Sequence, residues 1–224
     1  MNQLLVDGQI KDLVFHIGEG EEFQLNLAAF SAFPQAKIEV HVARNAAFSG
    51  YFADFSQGNG TFEANIYLEG EGAKGTWKTA SIASGDSRKV INANLFHQHP
   101  HSEGLTENYG ITKGTSRLGF CGTSTIAKGA YGSSTRQSAK IIVFDEHSQG
   151  KCSPILVIDE NDVKASHAAI VGKLNDEHIF YLCSRGLSLE QAKRLITLGY
   201  LKPIVPHFDE TLQQAMLDAI EKGV

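Results

Sequence analysis

Short segments in which apolar and polar residues alternate run through most of the chain, and this is the pattern of β-strands with one buried face. The clearest are Phe23-Leu25-Leu27, Ile38-Val40-Val42, Phe62-Ala64-Ile66-Leu68 and Ile91-Ala93-Leu95. Glycine-rich stretches that are typical of turns separate them. The pattern predicts a strand-rich body. The intervals between strands vary too much for a fixed repeat, and alternation alone leaves sandwich, barrel and β-helix open.

Helical signals begin near residue 175. Asn175 or Asp176 can cap a helix that runs from Glu177 to Arg185. The positive charge in its last turn suits the helix dipole, and Gly186 can end the helix in the left-handed conformation. The pattern therefore predicts a change from strands to helices at this point of the chain.

Two further helices are predicted after the first. Ser188 and Gln191 form a capping box at the start of the second helix, which we expect to end at Gly199. The third begins near Asp209 and has apolar residues at a spacing of four, namely Leu212, Met216 and Ile220. These apolar faces could cover the strand-rich body or bind a partner protein, and the sequence favours neither interpretation.

Length and charge limit the possible functions. The 224 residues can form one main unit with an appendage, which we divide into a core of residues 1–174 and a helical domain of residues 175–224. A formal net charge of −5, without a dense stripe of Lys and Arg, argues against nucleic acid and anionic membranes as partners. No apolar run is long enough to span a membrane, and no leader-like segment begins the chain. We therefore expect a soluble, cytoplasmic protein.

The chain has three widely spaced cysteines, Cys121, Cys152 and Cys183. Their odd number and spacing fit neither a disulfide framework nor a paired-cysteine metal site, which favours a reducing compartment. Cys183 lies in an apolar helical run and is expected to pack as a small hydrophobic residue. Cys152 could be a soft metal ligand, but a packed or solvated thiol is the commoner state.

A histidine cluster suggests one enzymatic alternative. His97, His99 and Glu103, with Gly110 further on, have the spacing of the first cupin metal motif. Alternate residues on a strand share a face, so the two histidines could bind one metal ion together with the carboxylate. Ile91 stands where the motif has a glycine, and no second motif follows. A cupin-like, metal-dependent enzyme and hydrogen-bonded histidines at a strand edge are therefore both open.

The segment from Pro154 to Gly186 begins with an apolar run that predicts a buried strand, followed by a polar turn, one histidine and a capped helix. This segment resembles the C-terminal signature of the SufB/SufD family of iron-sulfur cluster assembly proteins. The matching elements are Asp162-Val163, Ser166-His167-Ala168-Ala169, Val171-Gly172, Phe180-Tyr181-Leu182 and Ser184-Arg185-Gly186. The resemblance implies a mainly β fold, a right-handed parallel β-helix with a small C-terminal α-helical domain. It also implies that the chain lacks the N-terminal helical region common in the family.

Two positions favour the SufD branch of the family. Ser138 follows Gln137 where SufB proteins have a cysteine, and Ser166 precedes His167 as in SufD proteins. The resemblance then implies a non-catalytic subunit of an iron-sulfur cluster assembly scaffold. Such a subunit would pair with a SufB-like paralogue and bind a SufC-like ABC-type ATPase. A homodimeric structural protein of the same fold is a further alternative.

The resemblance also suggests which residues act. A lone histidine in a strand is usually structural. For His167, however, the family resemblance implies that the imidazole binds iron of a transient iron-sulfur cluster at a subunit interface. The chain alone would hold no cofactor. The helical end is expected to contact the ATPase through Phe180, Tyr181, Arg185 and Leu189. The sequence has no phosphate-binding glycine loop and no evident nucleophile-histidine arrangement, which agrees with a protein that is not an enzyme.

Overall fold

The computed structural model describes residues 1–222, which form thirteen β-strands followed by three α-helices. The strands are β1 (Asn2–Val6), β2 (Leu13–Ile17), β3 (Glu22–Ala29), β4 (Lys37–Val42), β5 (Ala47–Asp54), β6 (Asn59–Leu68), β7 (Lys74–Ala83), β8 (Arg88–His97), β9 (Glu103–Thr112), β10 (Arg117–Ile126), β11 (Ser134–Val143), β12 (Gln149–Ile158) and β13 (Lys164–Lys173). The helices are α1 (Asp176–Ser184), α2 (Leu189–Leu201) and α3 (Glu210–Lys222). Short 3-10 helices cover Asp7–Gln9 and Lys202–His207. Positions 223 and 224 of the expected helical domain lie outside the described residues.

The strands form two parallel sheets, with odd-numbered strands in a seven-stranded sheet and even-numbered strands in a six-stranded sheet. Because successive strands alternate between the sheets, the chain winds as a flattened β-helix of about six turns. The parallel β-helix is therefore confirmed, and sandwich and barrel are wrong. Leu13 pairs with Ile38 in an early turn, whereas Arg117 pairs with Gln149 in a late one, so the turns lengthen from about 25 to about 32 residues. This variation explains why the sequence shows no fixed repeat.

The interior between the two sheets is the main hydrophobic core. The apolar positions predicted from alternation in β3, β4, β6 and β8 point inward, and nearly all are fully buried. Aromatic residues fill the middle of the β-helix, where the ring centroids of Phe52 and Phe62 are 4.4 Å apart and Trp77 is completely buried. Burying side chains of this size contributes about 1.5–3 kcal/mol each. The alternation thus determines which side of each strand faces the core.

The C-terminal segments form a second core on the outer face of the seven-stranded sheet. Met216 and Ile220 of α3 are buried against this face together with Leu201, Val205 and Phe208. The side chain of Asn26 donates a hydrogen bond to the carbonyl of His207 (2.6 Å), and the His207 ring stacks on Tyr51 with centroids 3.7 Å apart. For α2, the 3-10 segment and α3, the interpretation that helices cover the body is therefore correct.

The predicted helix boundaries agree closely with the structure. Asn175 caps α1 by accepting hydrogen bonds from two backbone N–H groups, and Gly186 has a φ of +96°. Ser188 and Gln191 form the expected capping box. One boundary was wrong, since α2 continues past Gly199 to Leu201. No helix within residues 1–222 has the length and apolar character needed to cross a membrane.

Candidate functional site

The last turn of the β-helix leaves an open end. β12 and β13 are the edge strands of the two sheets at this end, each is ten residues long, and each pairs on one side only. Several apolar side chains here are exposed: Ile155 (51%), Val157 (42%), Ile158 (36%), Ile170 (54%) and Val171 (43%). Edge strands with free N–H and C=O groups and apolar side chains are surfaces that pair with other strands.

This exposure corrects one expectation from the sequence. The apolar run that begins at Pro154 was predicted to be a buried strand, but β12 lies at the edge and is largely exposed. Pro154 is tolerated there because an edge strand need not donate every backbone N–H. The β13 edge contains no proline and offers an unbroken row of donors and acceptors. The last two strands of the β-helix are therefore a candidate interaction surface.

His167 lies on β13, at this open end. Its Cα pairs with that of Gln137 on the preceding strand of the sheet. The Gln137 amide donates to Ser124 Oγ (2.8 Å) across the interior, so the Gln137 side chain points inward. Because His167 occupies the equivalent position on β13, its side chain points to the same side of the sheet as that of Gln137. No further turn covers it, so His167 is exposed. An exposed imidazole at a rim can bind a ligand supplied from outside, whereas a structural histidine is normally enclosed.

Cys152 lies on β12 at the same end and is only partly exposed. Burial, with a contribution from Cys121, raises the pKa of the Cys152 thiol to about 11. Its Sγ lies 4.0 Å from the carbonyl oxygen of Ile170, as in a weak hydrogen bond. Burial therefore disfavours the thiolate that metal binding requires, and the half-buried Sγ agrees with a packed thiol.

The structure does not bring the histidine cluster together as a metal site. His97 is 1% exposed and points into the β-helix, where its Nδ1 is 2.8 Å from Ser102 Oγ. His99 is exposed on the connection after β8. Glu103 is exposed on the outside of β9 and forms an ion pair with Lys74 (3.2 Å). Within residues 1–222, no three His, Cys, Asp or Glu side chains are arranged to hold a metal ion.

These positions do not favour the cupin alternative. Cupins are antiparallel double-sheet folds, whereas the pairing here is parallel throughout the named strands. Burial lowers the pKa of His97 to about 4, so its ring is neutral at physiological pH. Ser102 and Ser133 continue the hydrogen-bond network, with 2.9 Å between their Oγ atoms. His97 is therefore part of a buried polar network.

The first helix forms a second candidate surface. α1 contains no buried residue; Phe180 is 75% and Tyr181 56% exposed, and Leu189 at the start of α2 is 51% exposed. The Arg185 guanidinium lies 5.2 Å from the centroid of the Tyr181 ring. Exposed apolar side chains that lie together commonly mark protein interfaces, and aromatic and Arg residues often contribute most of the binding energy. The four residues suggested by the sequence thus lie on α1, at its C-terminal end and at the start of α2; three of them are largely exposed, and Arg185 contacts Tyr181.

Comparison with known proteins identifies similar chains. A family model described as "SUF system FeS cluster assembly, SufBD core domain" matches residues 23–200. The chain is 32% identical over 170 residues to the iron-sulfur cluster assembly protein SufD of Bacillus subtilis. The aligned region covers 75% of this chain and 39% of the relative. It is 29% identical over 139 residues to an iron-sulfur cluster assembly SufBD family protein of Mycobacterium tuberculosis, covering 62% and 16% respectively. The chain therefore spans about two fifths or less of these two relatives.

Proposed function

The chain belongs to the SufB/SufD family of iron-sulfur cluster assembly proteins, and we propose that it acts as the SufD-like subunit of an assembly scaffold. In this proposal the chain is not an enzyme. It pairs with a SufB-like paralogue, binds a SufC-like ABC-type ATPase and contributes half of a site for a transient cluster. The observation that carries the proposal is the open end formed by β12 and β13, with exposed apolar side chains beside an exposed histidine.

Pairing at the open end would complete the backbone hydrogen bonds of β13 and bury exposed apolar side chains. The free backbone groups of β13 would hydrogen-bond to a strand of the partner, as in other complexes that extend a sheet. Exposed side chains such as Ile155 and Val171 would leave water, at about 25 cal/mol per Å² of apolar surface buried. A second β-helix of the same family would offer edge strands of the same kind. We therefore favour a SufB-like paralogue as the occupant of this end.

His167 would contribute its imidazole to the cluster. A neutral imidazole is a common iron ligand, and the position of His167 at the rim would direct it toward a partner. Cys152 is a poor candidate for a thiolate at this site because its pKa is raised to about 11. The proposal therefore assigns the thiolate ligands to the SufB-like subunit, and the cluster is the cargo of the pair.

The surface of α1 would bind the ATPase. Phe180, Tyr181 and Leu189 are exposed, and Arg185 lies over the Tyr181 ring. The sequence lacks a phosphate-binding loop of its own, so ATP hydrolysis would belong to the other protein. In this proposal the chain binds one partner at the open end and the other at the surface of α1.

A charge placed on the open end tests the proposal. Val171→Lys would put an ammonium group on the surface that pairing buries, and a buried unpaired charge costs several kcal/mol, so pairing should weaken by at least about 100-fold. Val14→Lys is the matched control, because Val14 is 54% exposed on β2, the edge strand at the other end. Co-expression with the SufB-like subunit, followed by size-exclusion chromatography with light scattering, measures the pairing.

The outcomes separate the alternatives. Loss of the heterodimer in Val171→Lys alone, with an unchanged melting temperature, supports pairing through the open end. Equal pairing of both folded variants contradicts it. A homodimer of the wild-type chain that the SufB-like subunit does not displace would instead support a structural protein that pairs with itself.

A further inference from the structure

A cleft with a volume of about 440 Å³ lies between the outer face of the last turns and the first two helices. β11 and β13 form one wall, and residues of α1 and α2 form the other. Apolar side chains line most of it, chiefly Ile142, Ile170 and Ile196. The cleft lies apart from the His167 rim, since Ile170 and Gly172 belong to the opposite face of β13 from that histidine. Of its lining residues, only Ile170 is also one of the exposed side chains of the open end.

Two glycines leave this space open. Gly172 on β13 and Gly199 within α2 both line the cleft. A Cβ atom added at either position would meet no atom within 4 Å, and neither residue has a positive φ. Backbone geometry and packing therefore do not require glycine here, although glycine inside a helix costs about 0.5–1 kcal/mol relative to alanine. Glycine in a strand often marks a place where a ligand approaches the backbone closely.

A lysine gives the cleft a positive charge. Lys140 lines it from the outer face of β11, and none of the lining residues is acidic. The Lys140 ammonium donates a hydrogen bond to the Tyr200 hydroxyl (2.5 Å) and lies 4.3 Å from the centroid of the Tyr200 ring, so this side chain is held at the cleft. Among residues 1–222, Lys140 forms no ion pair with a carboxylate. This cation is thus available to an anion from outside.

We propose that this cleft binds a small amphipathic anion. The apolar body of the ligand lies against Ile142, Ile170 and Ile196, in the space left by the two glycines. Its carboxylate or phosphate group pairs with Lys140. The volume is within the range of small-molecule sites, which combine a mostly apolar lining with a few polar groups that fix the orientation of the ligand. This inference does not depend on the SufD-like role of the chain.

Octanoate is a suitable probe, because it carries one carboxylate on a short apolar chain. We expect a titration of the ¹⁵N-labelled chain to shift the backbone amide signals of Gly172 and Gly199 in a saturable way. 1-Octanol has the same apolar body without the charge and should bind about tenfold more weakly or worse, since a hydrogen bond to a charged group contributes about 1.5–3 kcal/mol. Acetate, which has the charge without the body, should cause no saturable shift.

Four variants locate the site. Lys140→Met removes the charge and should weaken octanoate binding about tenfold, whereas Lys151→Met, an exposed lysine on the other sheet, should leave it unchanged. Gly172→Phe fills the cleft and should abolish binding, and Gly199→Leu does the same from the helix side if the first variant fails to fold. Octanol binding equal to octanoate, shifts centred on Phe180 and Tyr181 instead of Gly172 and Gly199, no saturable shift at all, or full binding by a folded cleft-filling variant would each overturn the proposal.

Discussion

His167 and Gln137 occupy equivalent positions on adjacent turns of the β-helix, with their Cα atoms paired in parallel register. Gln137 is 3% exposed and hydrogen-bonded to Ser124, whereas His167 is exposed. The two residues differ in environment because β13 is the edge strand of its sheet within the described chain. A position that is part of the core in one turn thus becomes part of an accessible surface in the next.

The exposure of His167 leads to the first prediction. We expect His167→Ala to lose cluster assembly in the complex with its SufB-like and SufC-like partners, because the imidazole would be an iron ligand. The free energy of unfolding should change by less than about 0.5 kcal/mol, as for an exposed side chain without structural partners. Cluster absorbance and thermal melts of the isolated chain measure the two effects.

His99→Ala is the matched control, since His99 is also exposed but lies on the connection after β8. It should assemble clusters normally. Full cluster loading by His167→Ala would rule out the ligand role. Reduced loading that simply follows reduced folding would instead assign a structural role to His167.

The sequence predicted the local structure well because alternation and capping depend on neighbouring residues. The inward faces of β3, β4, β6 and β8 and the caps Asn175 and Ser188 follow directly from such patterns. The exposure of β12 could not be predicted in this way. Alternation shows which face of a strand is apolar, but it does not show whether another strand lies beside it. The order of strands in the two sheets, which is not encoded in local patterns, determines that β12 and β13 are edge strands.

The inward-facing side chains of β8 include two whose burial the sequence pattern does not explain. The alternation of Ile91, Ala93 and Leu95 also places Lys89 and His97 on the inward face, and the structure buries both. Lysine is seldom fully buried, so composition argues against this placement. The pairing of Lys89 with Asp54 makes it possible, with 2.8 Å between Nζ and Oδ2 and both side chains fully buried. Asp54 is distant in sequence, and no local pattern identifies it as the partner.

The second prediction concerns this buried ion pair. Lys89→Met leaves the carboxylate of Asp54 buried without its cation, which costs about 3–5 kcal/mol of the free energy of unfolding. The ammonium also donates to the carbonyls of Ser56 (2.7 Å) and Ile82 (2.9 Å), so these lose a partner as well. Urea unfolding measures the loss. The double variant Lys89→Met with Asp54→Asn should be clearly more stable than Lys89→Met alone, and equal stability would contradict the role of the charge.

The third prediction concerns the surface of α1. Tyr181→Ala should weaken binding of the SufC-like ATPase by about 2 kcal/mol or more, as for an aromatic residue at the centre of an interface. Tyr131→Ala is the matched control, because Tyr131 is 49% exposed and lies on a loop of the β-helix. Isothermal titration calorimetry measures both affinities, and melting temperatures show whether the variants fold. Unchanged ATPase binding by folded Tyr181→Ala would exclude this residue from the interface.

The last prediction is a pH dependence caused by His97. Its ring is buried, its Nε2 has no hydrogen-bond partner, and burial lowers its pKa from 6.5 to about 4. The folded state therefore favours the neutral ring. A histidine with a lowered pKa contributes stability that is present above the unfolded pKa of 6.5 and is lost as the pH falls toward the folded value. One pKa unit corresponds to about 1.4 kcal/mol, so the loss between pH 6.5 and pH 4 is roughly 3 kcal/mol.

His97→Gln tests this assignment, because glutamine can still hydrogen-bond to Ser102 but does not titrate in this range. His207, whose pKa is also lowered by burial and by Lys78, is present in both proteins, so its contribution cancels in the comparison. Urea unfolding at pH 7.5, 6 and 4.5 should show the wild-type protein losing stability faster than His97→Gln as the pH falls. Parallel curves would mean that His97 accepts a proton as readily in the folded state as in the unfolded state. That result would contradict a neutral, buried His97 and return it to the candidates for an accessible site.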